Sequence, residues 1–201
     1  MLSKAINSRS WRGKLASSDY IFVVRDIPES TQLYSYLSAE WPGCLIVKIP
    51  ALTKGAMLSV LCGVAYTTDS GACIVDLADI LFEQPVVIDE FANNIGMIVP
   101  VFQSTSQDYS YLSIKDGVVT AAAEKKVIST NASAGVYSFK DCNTYLLAAV
   151  HSIENYEKLS FKGNLFICPM VNGILSAGHS VIAPEVSDAT PIGKIFHNNI
   201  R

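Results

Sequence analysis

The sequence predicts an α/β fold in which helices cover both faces of a mainly parallel sheet. Short apolar runs alternate with helical patterns along most of the chain, which is the order of elements in α/β domains. Only 16% of the residues are charged and 50% are hydrophobic, as expected when a sheet is buried on both faces. The 201 residues suffice for one domain with a substantial core, and no repeat or linker divides them.

The first half of the chain contains four apolar runs that predict buried strands, because each is bounded by Asp, Gly, Pro or Ser. The runs are Tyr20–Val24, Leu45–Ile49, Ala72–Val75 and Met97–Phe102. Pro100 predicts a bulge or an edge in the last run. Glu29–Trp41 has the pattern of an amphipathic helix. A second helix is expected after Thr53, its N-cap, and should be deeply buried because it is apolar nearly all round.

The second half begins with a predicted hairpin, Tyr109–Lys126, whose Asp116-Gly117 pair is a strong two-residue turn signal. Asp141 is expected to cap a helix that reaches Ile153. The remaining elements are predicted from apolar runs and their boundaries: a strand over Ala132–Phe139, a helix over Leu165–Ser176 and a strand over Ser180–Val186.

Composition excludes several classes of function. The net charge of −3, without any basic cluster longer than two residues, argues against a nucleic-acid partner. The longest stretch free of charged residues, Gly163–Pro184, is interrupted by polar residues, glycine and proline, so no membrane span or signal peptide is expected. The five cysteines lie in apolar strings without metal-site spacing and predict reduced thiols in a cytoplasmic protein. His151, His179 and His197 are scattered and fit a structural or solvated role.

Two adjacent segments carry a resemblance to a known family. Ala123–Ser129 and Asn131–Phe139 resemble the sugar-phosphate nucleotidyltransferases, the nucleotide-sugar pyrophosphorylase-like family, in which a Glu-Lys pair ends one strand and a small-Gly-aromatic strand follows. Thr53–Ala56, Asp76–Asp79 and Asn164–Ile174 are similar to further family segments, in the same order. The similarity covers roughly residues 2–191 and depends on the ordered combination of its parts.

The resemblance implies a three-layer, Rossmann-like architecture of the nucleotidyltransferase or glycosyltransferase-A type with a mixed sheet. Residues 1–201 are expected to form one domain, with an N-terminal helix over 1–19 and a tail over 187–201. In the family, a first strand and a glycine-rich loop that grips a triphosphate precede that helix. No such loop is found in this sequence, so the fold is expected to be N-terminally incomplete. Nucleotidyl transfer should be impaired, because backbone amides and a lysine normally neutralise the phosphates.

The resemblance also implies site residues, each with an ordinary structural alternative. Asp79, and Asp188 more weakly, would hold Mg²⁺, although either could be a surface loop or turn residue. Glu124 would accept hydrogen bonds from sugar hydroxyls and Lys125 would bind the sugar phosphate, or the two could form an ordinary charged strand end. Gly55 and Gly135 would allow close approach of a ligand, or could serve a helix start and strand packing.

Three functions follow as hypotheses. The first is a sugar-phosphate nucleotidyltransferase-like protein of nucleotide-sugar or polysaccharide biosynthesis. The second is a non-catalytic subunit that binds a nucleotide sugar or sugar phosphate, or pairs with an intact paralogue. The third is a glycosyltransferase that uses Asp76 and Asp79 on a nucleotide-sugar donor. The apolar composition and an incomplete sheet favour a homo-oligomer in each case.

Overall fold

The computed structural model describes residues 2–67, 71–83, 87–92 and 94–192. The helices are α1 (Leu2–Asn7), α2 (Thr31–Glu40), α3 (Ala56–Val64), α4 (Cys142–Glu154), α5 (Tyr156–Leu159) and α6 (Val171–Ser176). The first six strands are β1 (Ile21–Arg25), β2 (Leu45–Ile49), β3 (Cys73–Asp76), β4 (Ile80–Leu81), β5 (Ile95–Ile98) and β6 (Val101–Gln103). The others are β7 (Tyr111–Lys115), β8 (Val118–Ala123), β9 (Asn131–Ser133), β10 (Val136–Phe139), β11 (Ser180–Ile182) and β12 (Thr190–Pro191).

The strands form four hydrogen-bonded groups within the described residues: β1-β2, β11-β5-β10-β3, β6-β9-β7-β8 and β12-β4. Among the strand pairs of the described residues, only β1–β2 and β5–β11 are parallel, so the prediction of a mainly parallel sheet is wrong. The sheet is mixed, as the resemblance implied, because β10 runs antiparallel to both β3 and β5.

The side chains of β1 alternate between two helical layers. Phe22 and Val24 belong to the apolar cluster of α1 and α2, whereas Ile21 and Val23 lie against Gly63 of α3. This period of two places helices on both faces of β1 and β2. Helix α4 packs on β10 and helix α6 on β8. The three-layer α/β architecture is therefore confirmed.

Two segments predicted as single strands are each divided between two sheets. Val99 and Pro100 separate β5 from β6, and Ala134 and Gly135 separate β9 from β10. Gly135 has a φ of 76°, a left-handed conformation that glycine adopts without steric cost. The first break carries the chain from the four-stranded β11-β5-β10-β3 sheet into the four-stranded antiparallel sheet β6-β9-β7-β8, and the second break returns it. Pro100 marked an irregularity at the first break, as predicted, whereas the second break was not predicted because the apolar pattern continues through it.

The helix after Thr53 begins later, and is less buried, than predicted. Gly55 is its N-cap, while the Thr53 hydroxyl donates to the Gly55 carbonyl at 2.9 Å instead of accepting from a helix amide. Most apolar residues of α3 are only half-buried. The predicted helix over 165–176 starts with a 3₁₀ turn at Cys168–Met170, because Leu165 is held extended by its N–H bond to the Lys54 carbonyl at 2.8 Å.

The predicted hairpin and α4 cap are confirmed. Asp116 and Gly117 both have positive φ, 50° and 77°, as the tight turn requires. The Asp141 carboxylate accepts from the Thr144 N–H at 2.7 Å.

The ends of the described chain differ from the expected elements. In the expected N-terminal helix only Leu2–Asn7 is α-helical, and two 3₁₀ turns follow it. The last predicted strand ends at Ile182, with a separate bridge between Glu185 and Val101. Part of the expected tail forms β12 against β4. His197 lies outside the described residues. No helix in the described ranges is both long and apolar enough to cross a bilayer.

Candidate active site

Four of the residues implied by the resemblance line one cavity of about 140 Å³. We call this cavity the Asp79 pocket and define it by Asp79, Ser110, Glu124, Lys125 and Gly135, all of which line it. They come from the turn after β3, the start of β7, the end of β8 and the break before β10. The ends of strands from both larger sheets therefore meet at the pocket.

The turn after β3 positions Asp79. Ala78 adopts a left-handed φ of 53°, and its N–H donates to Asp76 Oδ1 at 2.8 Å. The Leu77 N–H donates to the Gly135 carbonyl at 3.0 Å, and the Asp79 carbonyl accepts from the Ile192 N–H at 2.7 Å. The turn is thus bonded on both sides, which fixes the direction of the Asp79 side chain.

Gly135 provides the space for the Asp79 carboxylate. A Cβ at position 135 would lie 2.7 Å from Asp79 Oδ1, which is closer than van der Waals contact. Although much of Asp79 is exposed, desolvation of its carboxylate raises its pKa, with a smaller contribution from the Asp76 charge and opposition from Arg9 and Lys125. A carboxyl with a raised pKa in a cleft is typical of functional sites.

Glu124 and Lys125 form the charged wall of the pocket. The Glu124 side chain is 6% exposed, and its carboxylate accepts a hydrogen bond from the Ser110 hydroxyl. Lys125 Nζ lies 3.6 Å from Glu124 Oε1 and donates to the Asp108 carbonyl at 2.7 Å. Burial raises the pKa of Glu124, while Ser110 and Lys125 oppose that rise. The wall therefore offers a hydrogen-bond acceptor and a cation side by side.

Gly55 allows the Leu165 backbone to pack closely against the start of α3. A Cβ there would lie 2.0 Å from the Leu165 carbonyl oxygen, and Gly55 has a φ of 109°. The Leu165 backbone occupies the space that the resemblance reserved for a ligand. The next residue, Ala56, lines the pocket instead.

Asp76 is engaged by a buried arginine rather than open to the pocket. Its carboxylate accepts two hydrogen bonds from Arg9, at 2.8 Å and 3.0 Å, and the Arg9 side chain is 1% exposed. This ion pair argues against the hypothesis that Asp76 and Asp79 together bind a nucleotide-sugar donor, as in a glycosyltransferase. Arg9 itself was not singled out in the sequence, where nothing distinguishes it from the basic residues around it.

Asp188 does not lie in the Asp79 pocket. It lines a separate, shallower cavity with Gln103 and Glu185. The described residues contain no group of three or more His, Cys, Asp or Glu side chains that could hold a metal ion. Of the two carboxylates that the resemblance implied as Mg²⁺ ligands, Asp79 lines the Asp79 pocket and Asp188 does not. A single carboxylate fits Mg²⁺ when ligand phosphates provide further oxygens.

The sequence prediction missed Ser110, the hydroxyl partner of Glu124. A regular hairpin around Asp116-Gly117 would place Ser110 opposite Ala123. The structure instead pairs Tyr111 with Ala123, because the register shifts between Ser113 and Ile114. The shift brings Ser110 opposite Glu124. A bulge of one residue reverses which side chains share a face, and no residue in the hairpin marks its position.

The architecture is that of the sugar-phosphate nucleotidyltransferase-like folds, as comparison with solved structures shows. The nucleoside-diphosphate-sugar pyrophosphorylase from Vibrio cholerae RC9 matches this chain with a TM-score of 0.80 and 19% identity, over 98% of this chain and 85% of that chain. The inositol-1-phosphate CTP transferase from T. maritima matches with a TM-score of 0.58 and 12% identity, over 85% of this chain and 68% of that chain.

A third match is a Bacillus anthracis protein assigned as a glucose-1-phosphate thymidylyltransferase, solved with sucrose, with a TM-score of 0.58 and 19% identity. It covers 81% of this chain and 66% of that chain. No family model and no curated protein matches the sequence. The similarity therefore establishes the fold.

Proposed function

We propose that the Asp79 pocket binds a sugar phosphate or nucleotide sugar, in a protein of nucleotide-sugar or polysaccharide biosynthesis. The observation that supports this most strongly is the buried Glu124 carboxylate beside the Lys125 ammonium, with Asp79 in the same pocket. The carboxylate suits sugar hydroxyls because it accepts charge-assisted hydrogen bonds. The ammonium is a compact charge suited to a phosphate.

Mg²⁺ belongs to this proposal as a partner of the bound ligand. Asp79 would hold it, and the ion would neutralise phosphate charge when bound. Because Asp79 is the pocket's metal-binding carboxylate, the chain should bind Mg²⁺ only weakly without a nucleotide. Replacement of Asp79 by Asn should abolish any effect of Mg²⁺ on nucleotide-sugar binding, whereas Asp188→Ala should not.

The proposal includes impaired catalysis of nucleotidyl transfer. These 201 residues contain no glycine-rich loop that could cradle a triphosphate, and such cradles supply much of the charge neutralisation in nucleotidyl transfer. We therefore expect ligand binding with little pyrophosphate release by this chain alone. The observation that favours a binding subunit over a glycosyltransferase is the engagement of Asp76 by Arg9.

Melting-temperature shifts can test this function, because a ligand of the native state stabilises it by mass action. Glucose 1-phosphate, inositol 1-phosphate, and UDP-, CDP- and dTDP-glucose are suitable ligands, each with and without Mg²⁺. A pyrophosphate-release assay with nucleoside triphosphates would run in parallel. Stabilisation without turnover supports the binding subunit, and turnover supports the nucleotidyltransferase. Transfer of sugar from a nucleotide sugar to an acceptor would support the glycosyltransferase.

We propose that the protein is cytoplasmic and assembles through an apolar face of helix α4. Helix α4 exposes Leu146, Leu147, Val150 and Ile153, which are 40–57% accessible. These residues recur at helical spacing, so they form one apolar stripe on one face. The stripe supports assembly into a homo-oligomer or pairing with a paralogue. Burial of this face by a partner would explain the small share of charged residues in the sequence. The five cysteines are free in the structure, which accords with the proposed cytoplasmic location.

A further inference from the structure

The side-chain amide of Asn172 forms a clamp between α6 and β8. Its Oδ1 accepts from the Ala122 N–H at 3.1 Å. Its Nδ2 donates to the Ala122 carbonyl at 2.9 Å and to the Pro169 carbonyl at 2.9 Å. One orientation of the amide satisfies all three bonds, because the N–H needs an oxygen and both carbonyls need a donor.

The clamp takes the place of a neighbouring strand. In the part of the chain that the structure describes, strand β8 is the end strand of its sheet and pairs only with β7, and Ala122 is 7% exposed. A buried backbone N–H and C=O need partners, and those of Ala122 find both in one side chain. The outer edge of β8 is therefore bonded near its end, where an unpaired edge strand would otherwise be free to shift.

The clamp also joins two parts of the pocket wall. Ala122 precedes Glu124 by two residues, and Pro169 follows Ile167 by two residues. Glu124 and Lys125 line the pocket from one segment, and Phe166 and Ile167 line it from the other. Asn172 bonds to both segments through the same amide, so it links the two segments outside the cavity.

We propose that Asn172 is a positioning residue of the Asp79 pocket, which holds the Glu124–Lys125 end of β8 against the Phe166–Ile167 segment. The proposal rests on the proposed function for its effect on ligand affinity. Asn172 does not line the pocket, so it acts through Glu124. Without the clamp, the end of β8 can move away from Ser110 and water can reach the Glu124 carboxylate.

A ligand-free measurement tests the clamp by itself. The pKa of the Glu124 carboxyl is raised mainly by burial. Lys125, Tyr137 and Cys168 interact with Glu124 electrostatically, and Asp79 lines the same pocket. Replacement of Asn172 by Ala should lower that pKa, because a wetter carboxyl ionises more readily. Titration of the ¹³C-labelled carboxyl by NMR measures this pKa in the folded protein.

Asp141→Ala is the matched control for a purely structural effect. It removes the α4 cap bonds to Thr144 and so destabilises the fold away from the pocket lining. It should lower the melting temperature and leave the Glu124 pKa unchanged. An unchanged Glu124 pKa in Asn172→Ala as well would overturn the proposal.

Ligand affinity is the second measurement. At a temperature where every variant is folded, Asn172→Ala should bind glucose 1-phosphate or UDP-glucose about tenfold more weakly than the wild type. Asn172→Asp keeps the shape and the bond to the Ala122 N–H but cannot donate as the amide does, and should lose affinity too. Wild-type affinity in both variants would contradict the proposal. If the wild type binds none of the sugar phosphates and nucleotide sugars named under the proposed function, that function fails, and the carboxyl titration still decides the role of Asn172.

Discussion

The carboxylate of Asp79 packs against Gly135 so closely that a Cβ at position 135 would lie 2.7 Å from Asp79 Oδ1. The break between β9 and β10 therefore both changes the sheet that the chain joins and leaves the space that the Asp79 carboxylate occupies. The contact makes Gly135 a sensitive position for both stability and ligand binding.

Replacement of Gly135 by Ala should move the Asp79 carboxylate and abolish its part in ligand binding. Gly117→Ala is a close control, because Gly117 has nearly the same φ, 77° against 76°, but a Cβ there meets nothing within 4 Å. Both variants carry the left-handed cost of about 1–2 kcal/mol. Only Gly135→Ala should also lose the ligand-induced rise in melting temperature. Equal behaviour of the two variants in that assay would contradict a role for the Asp79–Gly135 contact.

Glu124 should limit the stability of the folded chain at neutral pH. Because burial raises its pKa in the folded state, its contribution to stability is fully present below the unfolded pKa and is lost as pH rises through the folded pKa. Glu124→Gln should therefore raise the melting temperature at pH 7, by about 2–4 °C for each kcal/mol of relief. The gain should vanish below about pH 4, the ordinary range for Glu.

Calorimetric scans from pH 3 to pH 8 measure that difference. Glu157→Gln is the control, because Glu157 is exposed on α5 and its replacement should leave the melting temperature nearly unchanged. A gain for Glu124→Gln that is the same at every pH would show that its cause is not ionisation.

The charge of Lys125 should select phosphorylated ligands. Lys125→Ala should weaken binding of glucose 1-phosphate about tenfold or more, as expected when a charge-assisted contact of about 1.5–3 kcal/mol is lost. The neighbouring Lys126 is exposed and does not line the pocket, so Lys126→Ala should bind as the wild type does. Titration calorimetry compares the affinities of the two variants directly. A larger loss of affinity in Lys126→Ala than in Lys125→Ala would contradict the assignment of Lys125 to the phosphate.

The Arg9–Asp76 ion pair should be important for stability. The Arg9 side chain is 1% exposed and that of Asp76 is 18% exposed, and removal of one partner of such a buried pair costs about 3–5 kcal/mol. Asp76→Ala should therefore lower the denaturation midpoint strongly, because it leaves the Arg9 charge without that partner. The exposed Lys14–Asp89 pair is the comparison, and Asp89→Ala should cost about 1 kcal/mol or less. Similar losses in both variants would contradict the structural role of Arg9.

The apolar stripe on α4 gives an expectation about assembly. If Leu147 and Val150 contact another copy of the chain, Leu147→Glu should convert an oligomer to a monomer, because a buried charge without a partner is costly. Light scattering after size exclusion measures the mass. Val118→Glu is the control, since Val118 is 58% exposed and belongs to the β7–β8 hairpin and not to α4. A monomeric wild type would rule out a stable homo-oligomer.

Local sequence signals predicted the elements better than their pairing. The Asp141 cap and the Asp116-Gly117 turn are specified by residues that need particular backbone conformations, and both are confirmed. Pro100 likewise marked the first strand break, but the break at Gly135 and the bulge after Ser113 lie within continuous patterns that mark neither position. They depend on which sheet each strand joins, which is a tertiary property.

The site residues likewise differ in whether local sequence or tertiary structure determines their positions. The resemblance identified Asp79, Glu124, Lys125 and Gly135, and the structure brings these residues into one pocket. It separates Asp188 from them and fills the space beside Gly55 with the Leu165 backbone. Ser110 lies beside Glu124 because of the register shift in the hairpin. Arg9 binds Asp76, which is 67 residues away in the chain. Neither role could be predicted from local sequence.

The double variant Glu124→Ala with Lys125→Ala tests the central claim most directly, by titration calorimetry with glucose 1-phosphate, inositol 1-phosphate and the nucleoside diphosphate glucoses. We expect the wild type to bind at least one of these ligands and the folded double variant to bind none. Binding of equal affinity in the two proteins, or no binding by the wild type, would contradict the assignment of the Asp79 pocket.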